Sequence, residues 1–288
     1  MGEQVCMTGT EYCGGAVGVD AGGYPVETTG NAALDILEHR SSTRAFARDD
    51  DDRPVAVADE QRAAILHAAS RAPSAGAMMM YSIVSIREQA TLDRLADLCD
   101  HQPMIAKAPW ALIFVVDYAK WIDLFEHVGC FEPEFVERTG KAPRRAPGLG
   151  DFAIAAQDAV IAAQNAVVAA EALGLGSCYI GDIVENAEEV AELLDLPPYT
   201  MPLSMLIIGT PRKERPAIAH PVVNLVHEER YCRADAATMD AQAHEPLYGR
   251  DEPFHGVVVQ KLARKMTNVT RGQSLCHIPY RRGGLKTV

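Results

Sequence analysis

The sequence predicts a globular protein of the α+β or α/β class. Strand-like and helix-like segments alternate along the 288 residues, and the helical segments dominate. Residues 110–116 are a continuous apolar run, which is typical of a buried strand, and residues 202–209 are interpreted as a second buried strand. Residues 151–173 are rich in alanine and apolar nearly all round, so we expect a buried central helix that lets another backbone approach closely.

The apolar spacing predicts five helices in chain order. The first covers residues 32–39, and Asn31 is placed to cap its N-terminus. The central helix is the fourth, and Gly174 is a glycine typical of a helix C-terminus. The other three cover residues 59–71, 90–99 and 185–194, and two prolines stop the last of them.

Two further strands, at residues 80–86 and 177–180, complete the predicted sheet. Residues 1–31 form a predicted N-terminal extension, most of it rich in glycine and threonine without periodicity. Residues 119–150 are a mixed stretch that ends in Pro, Gly and Arg. We interpret that stretch as a long loop excursion of the kind that forms lids or binding loops.

Net charge argues against general nucleic-acid binding, because the chain carries −12 at neutral pH. The charge is uneven, since residues 255–288 contain seven basic residues and no acidic one. This pattern predicts either a solvated basic tail or a segment that lies on an acidic partner surface or helps to hold a phosphorylated substrate.

The seven cysteines are scattered, without a CxxC pair or a metal-ligand spacing. Their odd number and spacing predict reduced thiols and a cytoplasmic protein. No apolar run reaches 18 residues and the N-terminus lacks a signal pattern, so we expect neither a membrane span nor a secretory leader.

Motifs for unaided catalysis are absent from the sequence, which contains no GxxxxGK[ST], GxSxG or HExxH pattern. Residues 174–181 contain three glycines, but the third is two positions late for a dinucleotide fingerprint, and the segment follows a helix. The nine histidines show no ligand spacing, so no metal site is expected. These absences fit a protein whose bound cofactor carries the chemistry.

A polar cluster at residues 39–44 is suited to a phosphate-bearing cofactor. It places His39, two arginines and three hydroxyls within six residues. A guanidinium binds phosphate through a planar fork of donors, and hydroxyls add further hydrogen bonds. An ordinary basic surface turn has the same composition, so the cluster alone is not specific.

Five segments in order resemble the FMN-dependent nitroreductase family, and in particular its larger branch of oxygen-insensitive NAD(P)H nitroreductases and flavin reductases. The segments are HRSSTRAF at 39–46, APSAG at 72–76, Gln102 before a buried strand, the end of the central helix with YIG at 162–181, and VHEERY at 226–231. The likeness covers roughly residues 32–232. It implies an α+β fold with a central mixed or antiparallel sheet flanked by helices, assembled as an intertwined homodimer.

The resemblance implies an FMN site and assigns its residues, none of which is a catalytic side chain. The backbone N–H of Gly181 would point towards flavin N5, where glycine allows close approach and a donor stabilises the reduced ring. Gly181 as a plain turn glycine, Gln102 as a loop residue and Ser74 as a helix cap remain open alternatives. The residues assigned to FMN are His39, Arg40, Ser41, Arg44, Ser74, Ala75, Gly76, Gln102, Tyr179, Ile180, Gly181, Arg212 and Arg215.

Three departures from the family pattern concern the same site. Residues 77–81 read AMMMY where relatives have Asn and then Gln-Pro-Trp, so thioethers replace a polar ring contact. Asp182 stands where many relatives have a second glycine, which changes the charge near the flavin. The late basic pair of relatives falls on Ala217 and Ala219, so the earlier basic residues such as Arg212 are assigned its role.

The expected activity is a ping-pong transfer of hydride from NADH or NADPH to FMN, and then from flavin N5 to a nitroaromatic, quinone or flavin acceptor. Residues 32–232 would form the FMN-binding core, and residues 233–288 would embrace the partner subunit. The alternatives are a specialised dehydrogenase, desaturase or dehalogenase for one metabolite, and a flavin-binding protein without turnover. Candidates for the NADPH phosphate are Arg271, Arg281 and Arg282.

Overall fold

The computed structural model describes residues 29–141, 146–213 and 227–239. Of these, residues 29–41 and 227–239 belong to one compact unit, and all the others belong to a second. The predictions for residues 1–28, for Arg215 and for the basic C-terminal tail concern residues outside the described ranges.

In the first unit the described residues contain helix α1, Ala32–His39. The Asn31 Oδ1 accepts the backbone N–H groups two and three residues further on, at 3.0 and 3.3 Å. Asp35 in the first turn accepts both the backbone N–H and the hydroxyl of Thr29, which lowers the pKa of this carboxyl. The predicted helix and its cap are both confirmed.

The second unit is built on a four-stranded antiparallel sheet with the order β1-β2-β4-β3. The strands are β1 Tyr81–Ile86, β2 Trp110–Asp117, β3 Gly176–Ile180 and β4 Thr200–Gly209. All four correspond to predicted strands, and β2 is buried along its whole length. The α+β prediction is confirmed, and in the described sheet every neighbouring pair is antiparallel.

Seven helices surround this sheet in the described part of the second unit. They are α2 Asp59–Ser70, α3 Gln89–Leu98, α4 Pro103–Ala106, α5 Ala119–His127, α6 Pro133–Thr139, α7 Leu149–Ala172 and α8 Ala187–Leu193.

The expectation of a loop excursion at residues 119–150 is wrong, because α5, α6 and the start of α7 fill most of the described part. Trp121 and Phe125 lie four positions apart and pack together on one face of α5, with ring centroids 5.7 Å apart. Each of the two helices is short, so its apolar pattern is too brief to be distinctive in the sequence.

Side chains of β2 alternate between the two faces of the sheet and so join two cores. Trp110, Leu112 and Phe114 pack with α2 and α7, whereas Ile113 and Val115 face α3, α4 and α8. The sheet is therefore covered on both sides.

One face of α7 is not covered by the residues that the structure describes. Its alanines are buried, but Ile154, Val160 and Ile161 are 42%, 48% and 39% exposed. The predicted burial of this helix is confirmed for the side that the sheet and α2 cover, and it is wrong for the opposite side. Among the described helices, α7 alone is long and apolar enough to cross a membrane, a test that core helices also pass.

Candidate functional site

Two glycines at the paired ends of β3 and β4 make room for Thr43 and Phe46. Thr43 is fully buried, and its backbone N–H donates to the Ser177 carbonyl at 2.7 Å. A Cβ built on Gly176 would lie 1.8 Å from Thr43 Oγ1, and one on Gly209 would lie 2.8 Å from Phe46 Cδ1. Packing inside the chain thus requires both glycines, which the sequence analysis did not identify.

This attachment brings the backbones of Arg44 and Arg212 together. The Ala47 N–H donates to the Thr210 carbonyl at 2.8 Å, and the Arg212 N–H donates to the Ala45 carbonyl at 3.0 Å. Both arginines are exposed, and neither forms an ion pair with a carboxylate among the residues that the structure describes. Two unneutralised cations on adjacent segments favour binding of an anion such as a phosphate.

In the first unit, Arg40 carries a buried donor that lacks an acceptor. Its Nε has no hydrogen-bond partner in the described part of the chain. Buried polar groups are nearly always satisfied, so this atom indicates an acceptor that the described protein atoms do not supply. The neighbouring His39 places its Nδ1 2.7 Å from the Asp35 carbonyl within α1.

A buried carboxylate on α7 holds the loop that contains Ser74, Ala75 and Gly76. Asp158 is 2% exposed, and its two oxygens accept the backbone N–H groups of Ala75 at 2.9 Å and Met80 at 3.3 Å. Asp158 is not among the site residues predicted from the sequence. The sequence does contain an indication of this role, because an acidic residue in the middle of an apolar helix is costly to bury unless it accepts hydrogen bonds.

The loop itself has an unusual backbone. Gly76, Ala77 and Met79 all have positive φ, at 59°, 56° and 47°, and only glycine adopts this region without cost. The Ser74 hydroxyl accepts the Met79 N–H at 3.0 Å, so its side chain closes the loop and makes no cap bond to the following 3₁₀ turn. Strained loops of this kind persist where surrounding contacts fix them and often border binding sites.

Helix α5 contacts the same loop at the point where β1 begins. Trp121 Nε1 donates to the Met78 carbonyl at 2.8 Å, and Lys120 Nζ donates to the Tyr81 carbonyl at 2.5 Å. Burial lowers the pKa of Lys120, and two nearby carboxylates oppose that shift. The predicted binding loop at 72–76 is thus fixed by α7 and α5 together.

The end of β3 contains Ile180 and Gly181. The Ile180 side chain is buried in the core, so its backbone is the part left to face a ligand. Gly181 is exposed in an ordinary helical conformation, with φ −82° and ψ −22°, and nothing lies within 4 Å of a Cβ built on it. Unlike Gly176, this glycine is not required by packing among the described residues. The preceding Tyr179 donates its hydroxyl to Gln164 Oε1 at 3.4 Å.

Next to Gly181, two partly buried side chains are joined. Gln102 Nε2 donates to the carboxylate of Asp182 at 2.5 Å. Asp182 is the residue that departs from the family pattern, and the structure pairs it with the glutamine assigned to the cofactor. Within the described ranges there is no group of three or more His, Cys, Asp or Glu residues that could hold a metal ion.

Fold and site together define an α+β protein that places two exposed, unneutralised arginines on neighbouring segments beside the end of a sheet. The sequence pattern of the Nitroreductase family matches residues 37–210. The chain is 32% identical to FMN reductase [NAD(P)H] of Bacillus subtilis over 218 residues, which is 75% of this chain and 80% of that protein. It is also 32% identical to the oxygen-insensitive NADPH nitroreductase of Salmonella typhimurium, over 69% of this chain and 74% of that protein.

Solved structures agree with these relatives. Nitroreductase A from Vibrio parahaemolyticus superposes with a TM-score of 0.70 at 25% identity, over 88% of this chain and 98% of that chain. The NADPH:FMN oxidoreductase from Vibrio harveyi complexed with NAD⁺ gives 0.66 at 25% identity, over 85% and 98%. The chain therefore belongs to the nitroreductase family, and the predicted resemblance is confirmed.

Proposed function

We propose that the chain binds FMN and catalyses two-electron transfer from NADH or NADPH to a nitroaromatic, quinone or flavin acceptor. The relatives named as FMN reductase and NADPH nitroreductase support this activity. The observation that carries the proposal is that Arg44 and Arg212 lie on segments joined by backbone hydrogen bonds, and that neither cation has a carboxylate partner among the described residues.

The residues present fit FMN as a cofactor. A phosphate would satisfy the unneutralised arginines, and a flat ring could lie in the open space in front of Gly181. When bound, FMN supplies the centre that accepts and donates hydride, and the protein supplies binding, orientation and electrostatics. All thirteen residues assigned to FMN remain predictions, and those for His39, Arg40, Ser41 and Arg215 rest on the family resemblance alone.

The chain's own contribution is a set of fixed backbone groups. Gly181 offers an N–H that is not shielded by a side chain, and such a donor favours negative charge on whatever lies against it. The loop at 74–76 presents its backbone in a conformation that Asp158 holds in place. Preorganised groups of this kind act without the cost of rearrangement during the reaction.

The uncovered face of α7 supports a homodimer. Ile154, Val160 and Ile161 form an apolar stretch beside small residues, which allows close approach of a second copy. Stable interfaces of obligate dimers bury more than about 2,000 Å² and are rich in apolar groups. We propose that residues 233–288 embrace the partner subunit of this dimer. We also propose that the protein is cytoplasmic.

The phosphate contact can be tested by comparing FMN with riboflavin, which lacks the phosphate. We expect Arg44→Ala and Arg212→Ala each to weaken FMN binding about 10-fold or more, because a charge-assisted hydrogen bond contributes about 1.5–3 kcal/mol. Affinity for riboflavin should not change. Arg53→Ala is the matched control, since the Arg53 side chain is exposed and lies 3.6 Å from Asp51.

Fluorescence titration of the flavin against each purified variant gives these affinities. Equal losses for FMN and riboflavin, or no loss for FMN, would contradict the assignment of Arg44 and Arg212 to the phosphate.

A further inference from the structure

Gln102 and Asp182 meet although 80 residues separate them in the chain. Gln102 precedes the first turn of α4, and Asp182 begins the 3₁₀ turn Asp182–Val184 that follows β3. Both side chains are partly buried, and the distance from Nε2 to the carboxylate oxygen is 2.5 Å. The pair lies directly beside Gly181, the residue assigned to the flavin ring.

The backbone on each side of this pair is fixed. The Gln102 N–H donates to the Ala96 carbonyl at 3.0 Å, and the Ile105 N–H donates to the Gln102 carbonyl at 3.1 Å. Asn186, one turn beyond Asp182, donates its side-chain amide to the Leu98 carbonyl at 2.7 Å. The meeting of the two side chains therefore follows from the fold rather than from a chance surface contact.

A carboxylate dictates which end of the amide it meets. An ionised carboxylate oxygen only accepts hydrogen bonds, so Gln102 has to turn its NH₂ group towards Asp182. The Gln102 Oε1 then points to the other side, and it accepts no hydrogen bond within the described part of the chain. The pair thus leaves an oriented acceptor next to Gly181.

We propose that Asp182 is a positioning residue, which fixes the Gln102 amide so that its carbonyl oxygen accepts a hydrogen bond from the flavin. This inference rests on the proposed function, because it takes FMN as the ligand. The donors that flavin offers are the ring N3–H and the ribityl hydroxyls. A glycine in place of Asp182 would leave the amide free to turn either end towards the cofactor.

The negative charge of Asp182 has a second consequence at the same place. This charge acts on neighbouring groups. Burial raises the pKa of Cys99 to about 12, and the charges of Asp182 and Glu185 add to that effect. A carboxylate beside a flavin opposes the gain of electrons by the ring. We therefore expect Asp182 to lower the midpoint potential of the bound flavin as well as to orient Gln102.

A double-mutant cycle with Gln102→Ala and Asp182→Ala separates these effects. We expect each single change to weaken binding of FMN and of riboflavin about 10-fold, since a hydrogen bond to a charged or well-oriented group contributes about 1.4 kcal/mol. The double variant should bind no more weakly than Gln102→Ala, because Asp182 acts on affinity through Gln102. The midpoint potential should rise whenever Asp182 is removed, with or without Gln102.

Two conservative variants separate the loss of charge from the loss of the contact with Gln102. Each removes one negative charge, and Glu185→Gln is the control for Asp182→Asn. Asp182→Asn should weaken flavin binding, because an asparagine allows both orientations of the Gln102 amide. Glu185→Gln should leave flavin affinity unchanged. Thermal unfolding of the flavin-free variants checks that each one folds, and 3-methyl-FMN, which lacks the N3–H, shows which flavin donor Gln102 meets.

Additive losses of affinity in the double variant, or unchanged affinity in Asp182→Ala, would overturn the positioning role while the wild-type protein still binds FMN. Failure of the wild-type protein to bind FMN at all would instead overturn the proposed function on which the inference rests.

Discussion

Thr43 occupies the space that a side chain on Gly176 would need, since a Cβ built there lies 1.8 Å from Thr43 Oγ1. We expect Gly176→Ala to lower the free energy of unfolding by about 3 kcal/mol, because overpacking a full core costs about 1–3 kcal/mol and this overlap is severe. Urea denaturation followed by circular dichroism measures the loss. Adding Thr43→Ala removes the overlapping hydroxyl, so it should recover part of the stability, and no recovery would contradict this packing argument.

Gly181→Ala provides the contrasting case five residues further on. Nothing lies within 4 Å of a Cβ at this position and the backbone is ordinary, so the free energy of unfolding should change by less than about 1 kcal/mol. Flavin binding should nevertheless weaken, because the new methyl group enters the space assigned to the ring. A variant that binds FMN as well as wild type would show that the ring does not lie against Gly181.

Asp158 should stabilise the conformation of the 74–80 loop. Asp158→Ala leaves the N–H groups of Ala75 and Met80 without their acceptor, which costs about 1–3 kcal/mol for the buried Met80 donor and less for the partly buried Ala75 donor. We expect a lower midpoint of thermal unfolding and faster cleavage of the loop in limited proteolysis. Gln157→Ala, at the exposed neighbouring position on the same helix, is the control, and an equal effect of both changes would argue against a specific role for Asp158.

If the exposed face of α7 forms the dimer interface, a charged side chain placed on it should dissociate the dimer. Val160→Glu places a carboxylate on an apolar surface that we assign to the dimer interface, and an unpaired buried charge is strongly disfavoured. Sedimentation velocity should show monomer in place of dimer. Val55→Glu makes the same chemical change at a residue that is 38% exposed outside α7, and it should leave the dimer intact. A dimeric Val160→Glu protein would place the interface elsewhere.

Cys99 should be unreactive in the folded protein. Burial, followed by the charges of Asp182 and Glu185, raises the pKa of its thiol to about 12, so at pH 8 only about one molecule in 10,000 carries the reactive thiolate. That fraction rises tenfold with each pH unit but is still about one in 1,000 at pH 9. Mass spectrometry after iodoacetamide treatment should find the partly exposed Cys130 modified far ahead of Cys99. Comparable rates in the native protein would contradict this account.

Local patterns in the sequence predicted much of the fold. Helix α1 with its Asn31 cap, the four strands and α7 all follow from apolar spacing and end signals that lie within a few residues. The helices at 119–139 were missed, because neither is longer than about two and a half turns and their apolar residues gain meaning only from packing. The exposed side of α7 was also missed, since composition reports that a helix is apolar and not which neighbours cover it.

The candidate site was predicted less completely, for a physical reason. Gly176 and Gly181 look alike in the sequence, yet only the fold shows that Thr43 requires one and that open space surrounds the other. The contacts of Asp158 with Ala75 and of Asp182 with Gln102 each join residues about 80 positions apart. Pairings at that separation depend on the tertiary structure, and no local pattern encodes them.

The visible absorption spectrum of the purified protein tests the central claim most directly. We expect a flavin band in the protein as isolated or after addition of FMN, which NADH or NADPH bleaches without air and a quinone or nitroaromatic restores. Protein that is colourless and does not bind added FMN would contradict the account.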